Sequence, residues 1–408
     1  MEDSAALFKH QRCRKHCSRS YLEPVMKRER TVFLAVCAAL IASGLVCVYS
    51  ASYPQALDFG LKGSYFFRKQ ALSALAAVVV CIAVYFFPVK ALKWCIPPLL
   101  AVCLVLMLMT LFTRFGETSL GARRWLSIGP LPTFQPSEIV KFASILFLAL
   151  VLGKGDEGTK IRRQVICGGV CLSFALLILL EKDYSTAVVY LGVCICMLLL
   201  SGVSIPWVIL GFGFLGVGGV AVMLSEPYRV KRIAAFLFPN ADPSGINYQV
   251  NIARKAIESG GLTGKGLGLG YYKNGTLPEV QNDFILASIA EELGFVGIGV
   301  VFALFVAFAV LGYRASRRLA ERDRFSSFAC FGFTTIILWQ ALVNAAVVSG
   351  LFPPTGIPLP FFSQGGTNLF IVIIEAGFVF RFISSSFSSE KKEVPAADGG
   401  DLVFPEKI

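Results

Sequence analysis

Leu99-Leu100-Ala101-Val102-Cys103-Leu104-Val105-Leu106-Met107-Leu108-Met109-Thr110-Leu111-Phe112 carries no charge, no alternation and no polar face. It is the centre of an apolar run, 91–112, long enough to cross a hydrocarbon core, for which about 17–25 residues suffice. Runs of the same kind recur at 32–52, 69–88, 137–153, 164–181, 185–201, 205–224, 283–313, 325–350 and 368–385. Only helices satisfy their own backbone groups in lipid, and the short alternating segments of a membrane barrel are missing. The expected fold is therefore an all-α polytopic membrane protein of about ten transmembrane helices. Its largest connection, 225–282, falls between the seventh and eighth spans.

Charge orients these spans. Residues 1–31 hold eight Lys/Arg against four acids, which places this tail in the cytoplasm. Ser50-Ala51-Ser52 is small enough for a cleavage site, but the tail is long for a signal n-region, so the first span is expected to remain. Counting onward puts Lys154–Arg163 and Arg314–Arg324 inside as well, and both are basic. The division expected is a basic cytoplasmic tail at 1–31, a membrane domain at 32–385 and a cytoplasmic tail at 386–408. The net charge of +12 is absorbed by this asymmetry and by anionic headgroups, with no nucleic-acid partner required. Ten of the twelve cysteines lie in apolar runs, where Cys acts as a small hydrophobe rather than a disulfide partner. His10 and His16 with Cys13 and Cys17 have a metal-like spacing, but their basic tail reads as unstructured. The body of the chain has no histidine.

The polar residues gather on the opposite, outer side. The 113–137 connection holds Gly121-Ala122-Arg123-Arg124-Trp125 and Gln135-Pro136-Ser137-Glu138, with Lys141 a turn into the next span. The 225–282 loop carries Arg229, Lys231, Arg232, Arg254, Lys255, Lys265 and Lys273 against four acids. These cations are either a tolerated solvated loop or a phosphate-binding face, for which Arg offers paired donors. Glu138, Lys141 and Asp183 share the depth of the hydrocarbon boundary, where ionisable groups are costly unless paired or facing a wet cavity. An internal ion pair of Lys141 with Asp183 or Glu138 is the plain structural reading. Between 350 and 366, four prolines and four glycines forbid a regular helix. Broken backbone at that depth belongs beside a cavity. Gly264-Lys265-Gly266-Leu267-Gly268-Leu269-Gly270 lacks the Ser/Thr and the strand–helix context of a nucleotide loop, and reads as a flexible loop.

With no histidine in the body, acid–base work falls to carboxylates. Asp283, in Pro278-Glu279-Val280-Gln281-Asn282-Asp283-Phe284, stands where a polar loop enters an apolar helix. The helix terminus favours its ionised form, and an N-cap is the structural alternative. Glu291, eight residues on, falls on a similar helical face, as a partner or as a packing acid. A carboxylate beside a basic cleft can deprotonate a sugar hydroxyl while cations receive a departing diphosphate. A phosphatase, an acyltransferase or a proton-coupled carrier fits the same residues.

Taken in order from about residue 30 to 385, Gly121–Trp125, Gln135–Glu138, Tyr248-Gln249, Leu277-Pro278-Glu279 with Asp283-Phe284, Ala290-Glu291-Glu292-Leu293-Gly294, and Pro358-Leu359-Pro360 with Ser363 and Gly365-Gly366 resemble the SEDS family, the FtsW/RodA/SpoVE group. The resemblance implies a ten-span peptidoglycan glycosyltransferase that polymerises lipid II into glycan strands at the outer face of the bacterial cytoplasmic membrane. It also implies a class B penicillin-binding protein, a transpeptidase, as partner, alongside other division proteins. Asp283 matches the family's essential acid, proposed to activate the acceptor 4-hydroxyl. The expected substrate-binding residues are Arg123, Arg124, Glu138, Lys141, Asp183, Arg229, Arg232, Gln249, Glu291 and Ser363. A divalent cation, Mg2+ or Mn2+, is implied as an aid, with no dedicated metal site in the sequence.

The chain departs from the family pattern at Glu181-Lys182-Asp183-Tyr184-Ser185-Thr186, where Gln-Pro-Asp-x-Gly-Thr is usual. Gln364 stands where Tyr is usual. The basic tail, Tyr49-Ser50-Ala51-Ser52 and Tyr65–Gln70 resemble the division-type branch more than the elongation-type branch. A lipid II flippase and a structural scaffold for the transpeptidase are the competing readings. One-sided clustering of the polar residues favours an enzyme over a carrier.

Overall fold

The structure, a computed structural model, describes residues 2–119, 121–129, 132–155, 157–211, 213, 236, 248–278 and 280–388. In chain order these form α1 (Glu2–Asp58), α2 (Tyr65–Phe86), α3 (Val89–Phe112), a β-hairpin of β1 (Gly116–Ser119) and β2 (Ala122–Leu126), and α4 (Pro136–Leu152). Then follow α5 (Lys160–Leu180), α6 (Tyr184–Leu200), α7 (Tyr248–Gly260), α8 (Ile285–Leu319), α9 (Arg324–Val348) and α10 (Gly366–Ser388). Residues 205–211 are also helical. Among the described residues, seven helices are long and apolar enough to cross a membrane, and α6 is a shorter apolar one. The chain is an all-α polytopic membrane protein.

Residues 2–31 differ from expectation: their backbone continues α1 without a break. The segment contains no glycine, and its eight Lys/Arg and three Glu favour helix, so the helix started by the apolar run extends back through it, with Pro24 the one strong breaker within it. The side chains of His10, Cys13, His16 and Cys17 lie outside the described residues.

Two helices form the interior. Of their most apolar windows, 67% of α9 and 78% of α10 is buried, against 17% of α2 and 22% of α3. Accordingly α9 packs on α4, α6, α8 and α10, while α2 and α3 turn Leu72, Leu75, Trp94 and Phe112 outward as a lipid-facing surface. Phe142, Phe333, Phe378 and Phe382 form a chain of ring contacts through the middle of this core, the first pair stacked and the others tilted.

The connections sort to opposite ends. At one end the hairpin meets the α5–α6 turn, Arg123 N donating to Glu181 O at 3.2 Å, and Arg254 of α7 reaches Gly350 O at 3.1 Å. At the other, Arg318 grips Glu29 at 2.5 Å and Lys93 faces Asp323 at 3.9 Å.

The glycine-rich stretch after α7 is a packed splice rather than a flexible loop. Gly294 interrupts α8 with φ 65° and ψ −166°, which would strand backbone groups within lipid. Residues 261–266 take them up: Phe295 N and Val296 N donate to Gly261 O and Leu262 O at 3.0 and 3.1 Å. In return Lys265 N and Gly266 N donate to Glu291 O and Glu292 O at 3.0 and 2.9 Å. The approach is so close that a Cβ on Gly264 would stand 2.2 Å from Glu292 O.

Candidate active site

The turn Gln281–Phe284 delivers Asp283 to the head of α8, half-buried, with Phe284 rather than Asp283 in the capping position. Three contacts hold this turn against the broken 350–366 segment. Asn344 of α9 donates through Nδ2 to Asp283 O at 2.8 Å and to Ile357 O at 2.7 Å. Gln364 N donates to Gln281 O at 2.8 Å. Gln281 Nε2 in turn donates to Gln55 Oε1 of α1. The carboxylate therefore faces Gly356, where a Cβ would come within 3.1 Å of Oδ2. A side chain there would press on the acid, which explains glycine at this φ of 75°.

A second cluster abuts the same segment. Ser185 Oγ donates to Thr355 O at 2.5 Å, bringing the α5–α6 turn next to Gly356. In that turn Asp183 caps α6, accepting from Thr186 N at 3.2 Å and Thr186 Oγ1 at 2.9 Å. It also accepts from Gln135 Nε2 at 2.8 Å and faces Arg124 at 3.7 Å. Beside it Glu181 is fully buried with neither carboxyl oxygen hydrogen-bonded. Burial, and then the Asp183 charge, push the Glu181 pKa up to about 9 against the opposing pull of Arg124. Further buried polar atoms without protein partners gather here: Arg124 Nε, Thr355 Oγ1, Gln364 Oε1 and Asn344 Oδ1. Buried polar groups are nearly always satisfied, so these atoms have free capacity for a polar ligand or bound water.

Lys141 pairs with Glu138 at 2.8 Å and not with Asp183. Both are buried, Glu138 accepts from Asn368 Nδ2 at 2.9 Å, and Glu375 lies within electrostatic reach of the pair. The pair ties the start of α4 to α10.

Other expected residues have structural employment. Glu291 accepts from Lys265 Nζ at 2.8 Å and from Tyr271 N and Tyr272 N at 2.7 and 3.1 Å. The helix begins at Ile285, so helical periodicity does not extend back to Asp283, and the expectation of a shared face lapses. Lys273 is buried against Glu292 at 2.5 Å, with Ser50 donating to the same carboxylate at 2.7 Å. Two loop cations that the sequence left open between a solvated loop and a phosphate-binding face thus neutralise α8 acids. Ser363 Oγ accepts from Leu359 N at 2.7 Å, closing the turn between them. Arg123 donates to Thr113 O and anchors the hairpin on α3. Gln249 sits half-buried in the first turn of α7. Arg229 and Arg232 lie outside the described residues.

Sequence reading missed Asn344 and gave Glu181 no role. Asn344 had a signal, as an amide at membrane depth within the 325–350 run. Among the described residues no three His, Cys, Asp or Glu side chains converge as a protein-only metal centre would require.

Comparison with known proteins matches this architecture. Residues 30–387 match the FtsW/RodA/SpoVE family, described as "Cell cycle protein". Stage V sporulation protein E of Bacillus subtilis is 37% identical over 345 residues, covering 83% of this chain and 92% of that protein. A probable peptidoglycan glycosyltransferase FtsW of Trichlorobacter lovleyi is 36% identical over 354 residues, covering 86% and 92%. Among solved structures, a chain of a peptidoglycan synthase complex superposes with TM-score 0.70 at 24% identity, covering 87% of this chain and 97% of that one. The rod shape determining protein RodA of Thermus thermophilus gives TM-score 0.63 at 22% identity, covering 87% and 96%. With that span of matched sequence, and a fold shared with both solved chains, this chain belongs to the FtsW/RodA/SpoVE family of cell cycle proteins.

Proposed function

We propose that this protein is a peptidoglycan glycosyltransferase that polymerises lipid II during cell division, with Asp283 as general base. The observation that carries the reading is the setting of Asp283: a half-buried carboxylate held by its own backbone against Gly356, in a wall shared with the Arg124–Asp183–Glu181 cluster. In the reaction the acceptor 4-hydroxyl oxygen forms a bond to C1 of the donor sugar. Its proton passes to Asp283, and the bond from C1 to the diphosphate breaks. Arg124, only loosely held at 3.7 Å from Asp183, is the described cation placed to receive the charge of the leaving diphosphate. A divalent cation would arrive on that diphosphate, whose charge it would offset, and no step here depends on it. Relatives named as probable peptidoglycan glycosyltransferases FtsW, at 33–36% identity, support a division role over an elongation role.

The site opens on the outer face of the bacterial cytoplasmic membrane, with both termini in the cytoplasm and ten crossings. In support, the chain is at the basic end at Ser201, held by Gln164, and at the site end by Arg254. The large loop before α8 belongs to that outer face, and a class B penicillin-binding protein is the partner.

The deciding experiment is glycan polymerisation from purified lipid II by the protein with its cognate transpeptidase, comparing wild type with Asp283→Asn at matched folded yield. The expected result is polymer from the wild type and a loss of at least about a hundredfold in the variant, the range for general-base removal. Equal polymer from both would remove Asp283 from the mechanism. Lipid II translocation without polymer would replace the enzyme with a flippase.

A further inference from the structure

At the end of the bundle opposite Asp283, α3, the end of α4 and the start of α9 with the turn before it line an open cup of about 380 Å³. Lys93, Lys154, Arg322 and Arg324 line it against one acid, Asp323. That acid is already engaged: it caps α9, accepting from Ser326 Oγ at 2.6 Å, and it faces Lys93 at 3.9 Å. Lys93 also stands 4.6 Å above the Phe325 ring, so the cup has an apolar floor. Its chemistry is that of a phosphate-sized anion site.

What lies next to the cup determines which anion. A groove of about 330 Å³ runs between α2, α3, α4 and α10, lined by Val80, Ala83, Ile96, Leu146, Phe378 and similar side chains with almost no polar surface. The two cavities adjoin along the same helices. Leu150 of the cup and Leu146 of the groove are neighbours one turn apart on α4, as are Lys93 and Ile96 on α3. Phe325 below the cup touches Phe382, which packs at a tilt on Phe378 in the groove. At the groove's edge Arg381 donates to Val84 O at 2.6 Å and to Phe87 O, securing the end of α2. A soluble nucleotide or free phosphate would leave this groove unused. An amphiphile with an anionic head and an acyl chain fills both.

We infer that the cup and groove together bind one anionic phospholipid from the leaflet opposite the catalytic end, headgroup among Lys93, Lys154, Arg322 and Arg324, and acyl chain between α2 and α4. Basic clusters at this depth attract anionic headgroups, each cation adding to the attraction. Seated there, the lipid bridges α3 and the start of α9, which meet through Lys93 with Asp323 and Phe325, and would strengthen that link.

The test reads binding, not polymerisation, so its outcome is independent of the catalytic assignment. Full-length protein in detergent is offered phosphatidylglycerol, phosphatidylcholine or inorganic phosphate, with retention followed by native mass spectrometry and stability by thermal unfolding. Wild type should retain phosphatidylglycerol preferentially and unfold at higher temperature with it, and not with inorganic phosphate. Lys154→Gln with Arg324→Gln, both exposed, should cut retention about tenfold or more while the lipid-free unfolding temperature stays unchanged. Ala83→Trp, filling the groove from an exposed position, should lower retention with the cup intact. Equal retention of phosphatidylcholine, retention untouched by the charge variants, or an equal thermal shift from inorganic phosphate would each overturn the proposal.

Discussion

The carboxyl of Glu181 holds its proton at neutral pH because burial and the neighbouring Asp183 charge outweigh Arg124. It thereby stands in for an amide, the group usual at this position in the family pattern. The linkage has a definite sign. The folded state keeps the proton up to about 9 and the unfolded chain loses it near 4.5, so this residue's contribution is full below the lower value and is lost as pH rises through the upper one. Glu181→Gln should flatten the fall of unfolding temperature between pH 6 and 9, and raise it on the order of a few °C at the alkaline end. Thermal scans at several pH values would check this; an unchanged slope would mean the proton is not held. The Lys141–Glu138 pair makes a different prediction. Removing one partner strands a buried charge, so Lys141→Ala should cost about 3–5 kcal/mol, and Lys141→Met with Glu138→Gln should recover most of it. A double-mutant cycle on thermal unfolding reads the coupling.

Among the elements, the break in α8 is the most demanding. Gly294 adopts a backbone conformation open almost only to glycine, and a Cβ there would lie 2.4 Å from Gly264 N. Gly294→Ala should therefore destabilise by about 1–3 kcal/mol from backbone strain alone. It should also loosen the splice, seen as faster hydrogen exchange at residues 261–266 with the centre of α9 still protected. The element matters for the proposed function because α8 begins at the turn that carries Asp283, and Lys265–Glu291 and Lys273–Glu292 clamp the preceding loop to it. In the sequence these were four separate charges and a run of glycines. Their pairing required knowing that the helix opens at Gly294, which hydropathy does not report.

At the scale of the molecule, polarity is separated by end: carboxylates and broken backbone at one, Lys/Arg clusters at the other. A single cysteine placed at Glu117 in a cysteine-free background should react with a membrane-impermeant thiol reagent in intact cells. One placed at Lys154 should react only after permeabilisation. The reverse pattern would invert the topology and move the site to the cytoplasm. Both positions are exposed, so reagent access reports sidedness rather than burial.

The sequence by itself determined the class of fold, the gathering of polar chemistry at one end of the bundle, and Asp283 as the acid to test. Each of these is a property of one segment: an apolar run, a charge bias, a carboxylate at a polar–apolar junction. Only the tertiary structure decided which charges are partners. Lys141 chose Glu138 over Asp183, Lys265 and Lys273 turned to α8 rather than to substrate, and Asn344 emerged as the residue that positions Asp283. Those choices depend on the rotation and register of one helix against another, set by core packing among residues far apart in the chain.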